Sequence, residues 1–303
     1  MISFRYHVVS IVAVFLALAL GIVVGTTALN GPITDDLRKR VDTANTDRSK
    51  LQAQLDSAQA ENGDADAFVA QFGPLVVKDA LKDKRVLVVS LPGADSSVEG
   101  AVNEQIASAG GEVAGKLAVT GDFFSTARAG DITSLVTNGT QPSDLTLPTT
   151  DDAVALGSAL LAFVLTGQAS DTELATTVSA FTSLQMLQVS GSAQVTPATL
   201  VAVIGTGAPS DEQVGKSEAT FVSAFQQAKA TVVVAGDAAS DVAPGVVATI
   251  RADGTQNKTI STVDNAGAAM GQISTILALT DGAQVGAYGI GPNADSPYPK
   301  LTS

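Results

Sequence analysis

The first pattern in the chain is an uninterrupted apolar run over residues 8–29, with the sequence VVSIVAVFLALALGIVVGTTAL. The run contains no charged residue. Its roughly 22 residues, rising 1.5 Å each in a helix, suffice to cross a hydrocarbon core about 30 Å thick. The residues that follow are mostly polar-surfaced and acidic in character. The pattern therefore predicts a transmembrane helix over 8–29, preceded by a short cytoplasmic head over 1–7.

A cleaved signal peptide is the alternative interpretation of this apolar run. It would need an apolar region of roughly 7–15 residues followed by a cleavage site made of small residues. Here the run is longer, and it ends in Gly25-Thr26-Thr27-Ala28, which matches such a site poorly. We therefore interpret the segment as an uncleaved anchor that enters the lipid bilayer as one helix.

The number of charges beside the anchor does not decide its orientation. The head carries Arg5 and the amino terminus, whereas the other side carries more basic residues, namely Arg38, Lys39, Arg40 and Arg48. A short head before a long domain nevertheless behaves as an N-terminal signal anchor, because long domains translocate largely regardless of charge. We expect a single-pass protein of the cell membrane whose C-terminal domain is extracytoplasmic.

A heptad pattern follows the break predicted at 30–32 and extends over residues 33–62. Its core positions are occupied mainly by Val41, Arg48 and Leu55 at a, and by Leu37, Ala44, Leu51 and Ala58 at d. Four heptads are at the lower limit for predicting a coiled coil. The pattern predicts a coiled-coil stalk over 33–62 that pairs with a membrane-anchored partner or with a second copy. A single amphipathic helix packed on the domain is the alternative.

Residues 64–303 alternate between apolar strands and helical segments. The predicted strands lie at 85–92, 112–120, 199–204, 231–235 and 259–263. The predicted helices lie at 96–109, 151–166, 171–188, 211–229 and 264–280, after helical residues in 64–82 that break at 73–74. The expected helix caps are Ser96 or Ser97 and Asp264 or Asn265. The alternation predicts an extracytoplasmic α/β domain with an open, mostly parallel, Rossmann-like sheet covered by helices.

Composition narrows the chemistry that is available to this domain. The formal net charge is −13 and the pI about 4.3, which argues against binding of nucleic acid. The chain has no cysteine, and its one histidine is His7 in the head. The domain therefore lacks the residues used most often as general bases, thiolate nucleophiles and soft metal ligands. We expect no metal site, no cofactor and no enzymatic activity.

The loops that follow the predicted strands are the places where open α/β sheets bind ligands. The segment 205–207, Gly-Thr-Gly, resembles the start of a dinucleotide-binding loop, but Ser210 stands where a third glycine is needed. We therefore interpret this segment as a tight turn. The acidic residues near strand ends are Asp95, Asp237, Asp241 and Asp264. Asp95 and Asp264 are candidates for one polar rim that holds a small ligand, and the alternative is that they are helix caps and turn residues.

Several segments together resemble one protein family. They are MISFRYHVVS at the start of the chain, RVLVVSLPGAD over 85–95, STVDN over 261–265 and Tyr288-Gly289. In this order, and across nearly the whole chain, they resemble the actinobacterial MctB-like proteins. That resemblance implies a copper-transport label. Corynebacterial members also look like the septation protein SteB, which implies regulation of a peptidoglycan hydrolase during cell separation, with SteA as the partner.

The scarcity of copper-binding side chains favours one of these two implied functions over the other. Copper is held by soft ligands such as cysteine and methionine, or by imidazole, and outside the anchor the chain offers Met186 and Met270. We therefore expect a single-pass scaffold or regulatory protein of the cell envelope that acts in envelope remodelling or cell separation at the septum. The alternative is a copper-transport or copper-tolerance protein. A third hypothesis is a ligand-binding or hydrolytic domain that uses Asp95.

Overall fold

The computed structural model describes residues 4–139, 141–191 and 194–300, and for residues 27–34 it describes the backbone alone. The chain divides after Asp64 into two compact units. The described part of the first unit is helical, and the second unit contains a β-sheet.

The first helix, α1, spans Phe4–Val76. Its segment Phe4–Thr26 has a mean hydropathy of 2.9 and is long and apolar enough to cross a membrane. The breaks predicted at 30–32 and 73–74 are wrong, because the helix continues through both. A glycine costs a helix about 1 kcal/mol and a proline about 3 kcal/mol, and long helical segments on both sides offset such costs. The functional limits of head, anchor and stalk remain predictions.

A β-sheet forms the centre of the second unit. Its strands are β1 Arg85–Ser90, β2 Glu112–Val119, β3 Leu187–Ser190, β4 Leu200–Ile204, β5 Thr231–Ala235, β6 Ser261–Val263 and β7 Ala287–Tyr288. Within the described residues the strand order is β3-β2-β1-β4-β5-β6-β7. Neighbouring strands are parallel except for the antiparallel pair β2 and β3. This topology confirms the predicted mostly parallel α/β sheet.

Helices cover both faces of the sheet. They are α2 Ser96–Ser108, α3 Ala129–Asn138, α4 Ala153–Leu165, α5 Asp171–Ser183, α6 Glu212–Gln227, α7 Val246–Ala252 and α8 Ala269–Ala278. Alternate residues of β1 enter two hydrophobic clusters, with Leu87 and Val89 in one and Val86 and Val88 in the other. The first cluster includes residues of α3 to α7, and the second includes residues of α2 and α8. Burial on both faces explains why the central strands are continuously apolar in sequence.

Two of the predicted helix caps differ from the observed ones. Asp95, rather than Ser96 or Ser97, is the N-cap of α2, because its carboxylate accepts the free N–H of the first turn. The N-cap residue of α8 is Ala268, so neither Asp264 nor Asn265 has that role, and the Ala269 N–H donates instead to Asp66 Oδ1 at 2.7 Å. Asp264 is held instead by a buried cation, which the local sequence did not reveal.

The segment predicted as one helix over 171–188 divides into α5 and β3. Strand β3 has four residues and pairs antiparallel with β2 at the edge of the sheet. A strand this short has no clear periodicity of its own, so only the pairing with β2 determines its conformation.

The chain changes direction across the sheet between β1 and β4. After β1 it builds outward through β2 and β3, and it then returns to add β4, β5, β6 and β7 on the other side of β1. The loops after β1 and β4 therefore lead to helices on opposite faces of the sheet, namely α2 and α6. Open α/β sheets bind ligands in the crevice that such a reversal creates.

Candidate functional site

The predicted partner surface lies on the part of α1 that belongs to the first unit. Its larger apolar side chains are half or more exposed, with values of 56% for Leu37, 54% for Val41, 65% for Leu51 and 50% for Leu55. The other predicted members are also exposed, namely Ala44, Arg48 and Ala58. We call these seven residues the heptad row. Their a and d spacing places them along one face of the helix, where a second helix is able to cover them.

Asp95 is exposed and follows the loop after β1. Its Oδ1 accepts hydrogen bonds from the Ser97 hydroxyl at 2.7 Å and from the Ser97 N–H at 2.8 Å. The hydroxyl first, and then the N–H, lower the pKa of Asp95 below its ordinary value. The Asp95 N–H donates to Thr206 Oγ1 at 2.6 Å, which joins the loops after β1 and β4. The carboxylate of Asp95 is therefore engaged as a helix cap.

Asp264 follows β6, and only 1% of its side chain is exposed. Its Oδ2 accepts a hydrogen bond from Arg251 Nη1 at 2.8 Å, and its Oδ1 accepts the N–H of Ile290 at 2.8 Å. The N–H of Gly291 donates to Oδ2 at 3.1 Å. Gly289 has a φ of +133°, and a Cβ at this position would collide with the Asp264 carboxylate. Asp264 thus organises the loop that follows β7.

Arg251 of α7 brings a second carboxylate to the same place. Its Nη1 lies 2.8 Å from Asp241 Oδ1 as well as from Asp264. Its Nε donates to Thr262 Oγ1 at 2.9 Å, and its Nη2 donates to the Tyr288 carbonyl at 2.8 Å. The side chains of Arg251 and Asp241 are 6% and 2% exposed. Two buried carboxylates on one guanidinium form a clamp between α7, β6, β7 and the loop after β5, and removing the cation would leave both charges unpaired.

The structure does not bring Asp95 and Asp264 together in one rim. They follow β1 and β6, which are separated by β4 and β5. Strands about 4.8 Å apart place these two strand ends roughly 14 Å from each other. Asp237 is also engaged locally, because it accepts the N–H groups of Gly207 at 2.9 Å and Ser240 at 2.8 Å. The carboxyl edge of the sheet therefore carries separate polar groups rather than one acidic site.

The segment 205–207 follows β4 and bends at Gly207. The Gly205 N–H donates to the Ala235 carbonyl at 3.0 Å, and a Cβ at Gly205 would lie 2.5 Å from Val246 Cγ1. Gly207 has a φ of +77°, and its N–H donates to the Asp237 carboxylate. A phosphate site uses such N–H groups as donors to the anion. Since a carboxylate already occupies this donor, the Gly207 N–H is not free to bind a phosphate.

Sequence reasoning missed two charged residues that the structure buries. Arg251 ends a short apolar segment, and nothing in its spacing indicates a pair of carboxylates. Glu218 carried a usable signal, because it lies four residues from both Val214 and Val222 in α6. A lone charge on the apolar face of an amphipathic helix marks a side chain that folding will bury.

Soft metal ligands are sparse among the residues that the structure describes. There, no group of three or more His, Cys, Asp or Glu side chains is arranged to hold a metal ion. Met186 is fully buried in the core, and Met270 is half-buried on α8. The side-chain atoms near the strand ends of the second unit that could bind a metal are mainly oxygens, which suit hard cations better than copper.

The chain matches the protein family described as "Copper transport outer membrane protein, MctB" over residues 1–299. It is similar to the "Copper transporter MctB" of Mycobacterium tuberculosis (strain ATCC 25618 / H37Rv), with 33% identity over 313 residues and 98% of each chain covered. The "Copper transporter MctB" of Mycobacterium leprae (strain TN) is 30% identical over 313 residues, with the same coverage. These matches include both the apolar N-terminal helix and the sheet, and the chain therefore belongs to the MctB family.

Proposed function

We propose that this chain is a single-pass scaffold or regulatory protein of the cell envelope. In this proposal residues 8–29 cross the bilayer, and the segment 33–62 pairs with a membrane-anchored partner of the SteA type or with a second copy. The second unit lies outside the cytoplasm and binds a further envelope protein. The result is control of envelope remodelling or cell separation through regulation of a peptidoglycan hydrolase. The observation that carries the proposal is the exposed heptad row on the same helix as an apolar segment long enough to cross a membrane.

The composition of the heptad row favours a contact that depends on the membrane. Leu51 and Leu55 offer large side chains at consecutive core positions, and burying a leucine contributes about 1.5–3 kcal/mol. Ala44 and Ala58 fill less of the seam, and Arg48 places a charge in it. Two helices anchored in the same bilayer meet at a high effective concentration, which allows a seam of modest strength to associate.

The proposal gives the second unit a binding role without catalysis. The acidic residues at its strand ends that the sequence singled out have structural partners. Asp95 caps α2, Asp237 holds the turn after β4, and Asp241 and Asp264 share Arg251. Carboxylates that already bind structural partners within the fold are poor candidates for contact with a substrate.

Partner capture tests the proposal with two matched variants. Leu51→Asp with Leu55→Asp places two charges in the heptad row, and Ser49→Asp with Ala53→Asp places the same two charges on the outer face of the helix. The full chain is captured by affinity from solubilised membranes, and the bound proteins are identified. The first variant should recover at least tenfold less of the main partner. The second variant should capture as much as the original chain. Equal capture by both variants would remove the heptad row from the mechanism.

A copper function is the second candidate, and the family description and the relatives' names favour it. For this chain it would rest on His7, Met186 and Met270, which are far apart in the sequence. Calorimetric titration of the full chain with Cu(I) and with Cu(II) separates the candidates. Tight binding in a fixed ratio would favour copper handling, whereas weak binding without a fixed ratio would favour the scaffold.

A further inference from the structure

A cavity of about 100 Å³ opens between the loops after β1 and β4, in the crevice where the sheet changes direction. Its apolar walls come from Leu91, Pro92, Ala208, Pro209 and Val246. Glu218 of α6 is the charged side chain among the described lining residues. By the space that a water molecule needs, a cavity of this size admits several waters or a ligand of about five non-hydrogen atoms.

Glu218 has no partner in the part of the chain that the structure describes, although only 4% of the residue is exposed. No described cation lies within ion-pair distance of its carboxylate, and no described group donates a hydrogen bond to it. Burial alone raises the pKa of Glu218 to about 7. Glutamate is almost never fully buried without a partner, because taking its charge out of water is costly. A carboxyl group directed into a cavity is therefore a candidate for a group that meets a ligand.

The surroundings of Glu218 favour an organic cation over a metal ion. Ca²⁺ takes six to eight oxygen ligands, and Mg²⁺ keeps several bound waters. One carboxylate and largely apolar walls, in a cavity of about 100 Å³, suit such a hydrated ion poorly. An ammonium group needs one carboxylate for its charge, and an aliphatic stem gains from apolar walls. The net charge of −13 also raises the local concentration of cations around the chain.

We propose that this cavity binds a primary ammonium group on a short aliphatic stem, with Glu218 as its counter-ion. Leu91, Pro92 and Val246 contact the stem, and Ala208 stands at the exposed mouth of the cavity. The site is separate from the heptad row. It therefore adds a small-molecule binding activity to the proposed scaffold and does not depend on partner pairing.

The direct test uses n-butylammonium as the probe and n-butanol as its uncharged counterpart. Binding to the full chain in lipid nanodiscs is measured by saturation-transfer NMR, with empty nanodiscs as the background. We expect saturable binding of n-butylammonium and binding of n-butanol that is at least tenfold weaker. Glu218→Gln keeps the shape of the side chain, and it should weaken n-butylammonium binding at least tenfold without changing that of n-butanol.

A second variant keeps the test decisive if Glu218→Gln alters folding. Ala208→Leu changes an exposed residue, and the larger side chain should close the mouth of the cavity and weaken n-butylammonium binding at least tenfold. Absence of saturable binding, or unchanged binding in both variants, would overturn the proposal. Binding of n-butanol as tight as that of n-butylammonium would overturn the role of the charge. Neither variant should change partner capture, so this proposal and the scaffold proposal fail independently.

Discussion

The two units of the chain differ in the exposure of similar apolar side chains. In the first unit the leucines and valines of the heptad row are half or more exposed. In the second unit all five residues of β4 are buried, because helices cover both faces of the sheet. The sheet thus satisfies its apolar residues within its own unit, whereas the heptad row is available to another molecule. The comparison separates the residues that stabilise the fold from those that we propose bind a partner.

The largest expected effect comes from removing an aromatic ring in the core of the second unit. Phe221 is 1% exposed, and its ring lies 5.4 Å from those of both Phe123 and Phe225. Phe221→Ala should lower the free energy of unfolding by about 3–5 kcal/mol, because it removes this burial and leaves a cavity. Hydrogen exchange of the β4 amides in the full chain measures the loss. Phe68→Ala, at a residue that is 62% exposed, is the control and should change little.

Arg251→Met should be nearly as destabilising. It leaves the carboxylates of Asp241 and Asp264 buried without a cation, and breaking a buried ion cluster in this way costs about 3–5 kcal/mol at neutral pH. Arg251→Lys keeps the charge but loses the bonds to Thr262 and Tyr288, so its loss should be smaller. Urea unfolding of the full chain followed by circular dichroism provides the comparison. Equal stability of Arg251→Met and the original chain would show that the cluster is not a clamp.

Glu218→Gln should raise the free energy of unfolding rather than lower it, because this buried carboxyl lacks the cation that Asp264 has. Burial raises the pKa of Glu218 from 4.5 to about 7, so the folded state resists ionisation and loses stability as pH rises from about 4.5 to 7. At 1.36 kcal/mol per pKa unit, the variant should be more stable by up to about 3 kcal/mol above pH 7. The difference should vanish near pH 4.

Urea unfolding of the original chain and Glu218→Gln at pH 4, 6 and 8 measures this dependence. A difference that stays constant with pH would contradict an unpaired carboxyl. A difference that grows towards low pH would show that the ionised form of Glu218 stabilises the folded state. Addition of n-butylammonium at pH 8 should reduce the difference, because the proposed ligand supplies the missing cation.

The smallest expected effect on stability comes from the heptad row. Leu51→Asp with Leu55→Asp changes two exposed side chains, so the free energy of unfolding of the second unit should change by no more than about 0.5 kcal/mol. Hydrogen exchange of the β4 amides again provides the measurement. A loss as large as that of Phe221→Ala would show that these leucines stabilise the fold, and it would end the distinction between the two units.

The strands were more predictable than the polar groups. Val86 to Val89 and Leu200 to Ile204 are apolar throughout, and burial on both faces of a parallel sheet requires that pattern. Strand β3 was missed because its conformation depends on pairing with β2. Likewise, the continuity of α1 through Pro32 was missed because one proline carries a strong local signal for a helix end.

The polar groups depend on contacts between distant parts of the chain. Asp264 was correctly placed near a strand end, but its partner Arg251 comes from α7 and its other donors come from the loop after β7. No local pattern predicts that meeting. Glu218 is the exception, since its position on the apolar face of α6 was visible in the sequence.

Site-specific photo-cross-linking in intact cells that produce the full chain measures directly whether the heptad row contacts a partner. A photoreactive residue is placed in turn at residues 37–58, and the yield of the main cross-linked product is measured at each position. We expect the yield to rise and fall with the heptad, with maxima at Leu37, Val41, Ala44, Leu51 and Leu55 and minima at Ser49 and Ala53. A yield that is uniform along the segment, or absent throughout it, would contradict pairing through the heptad row.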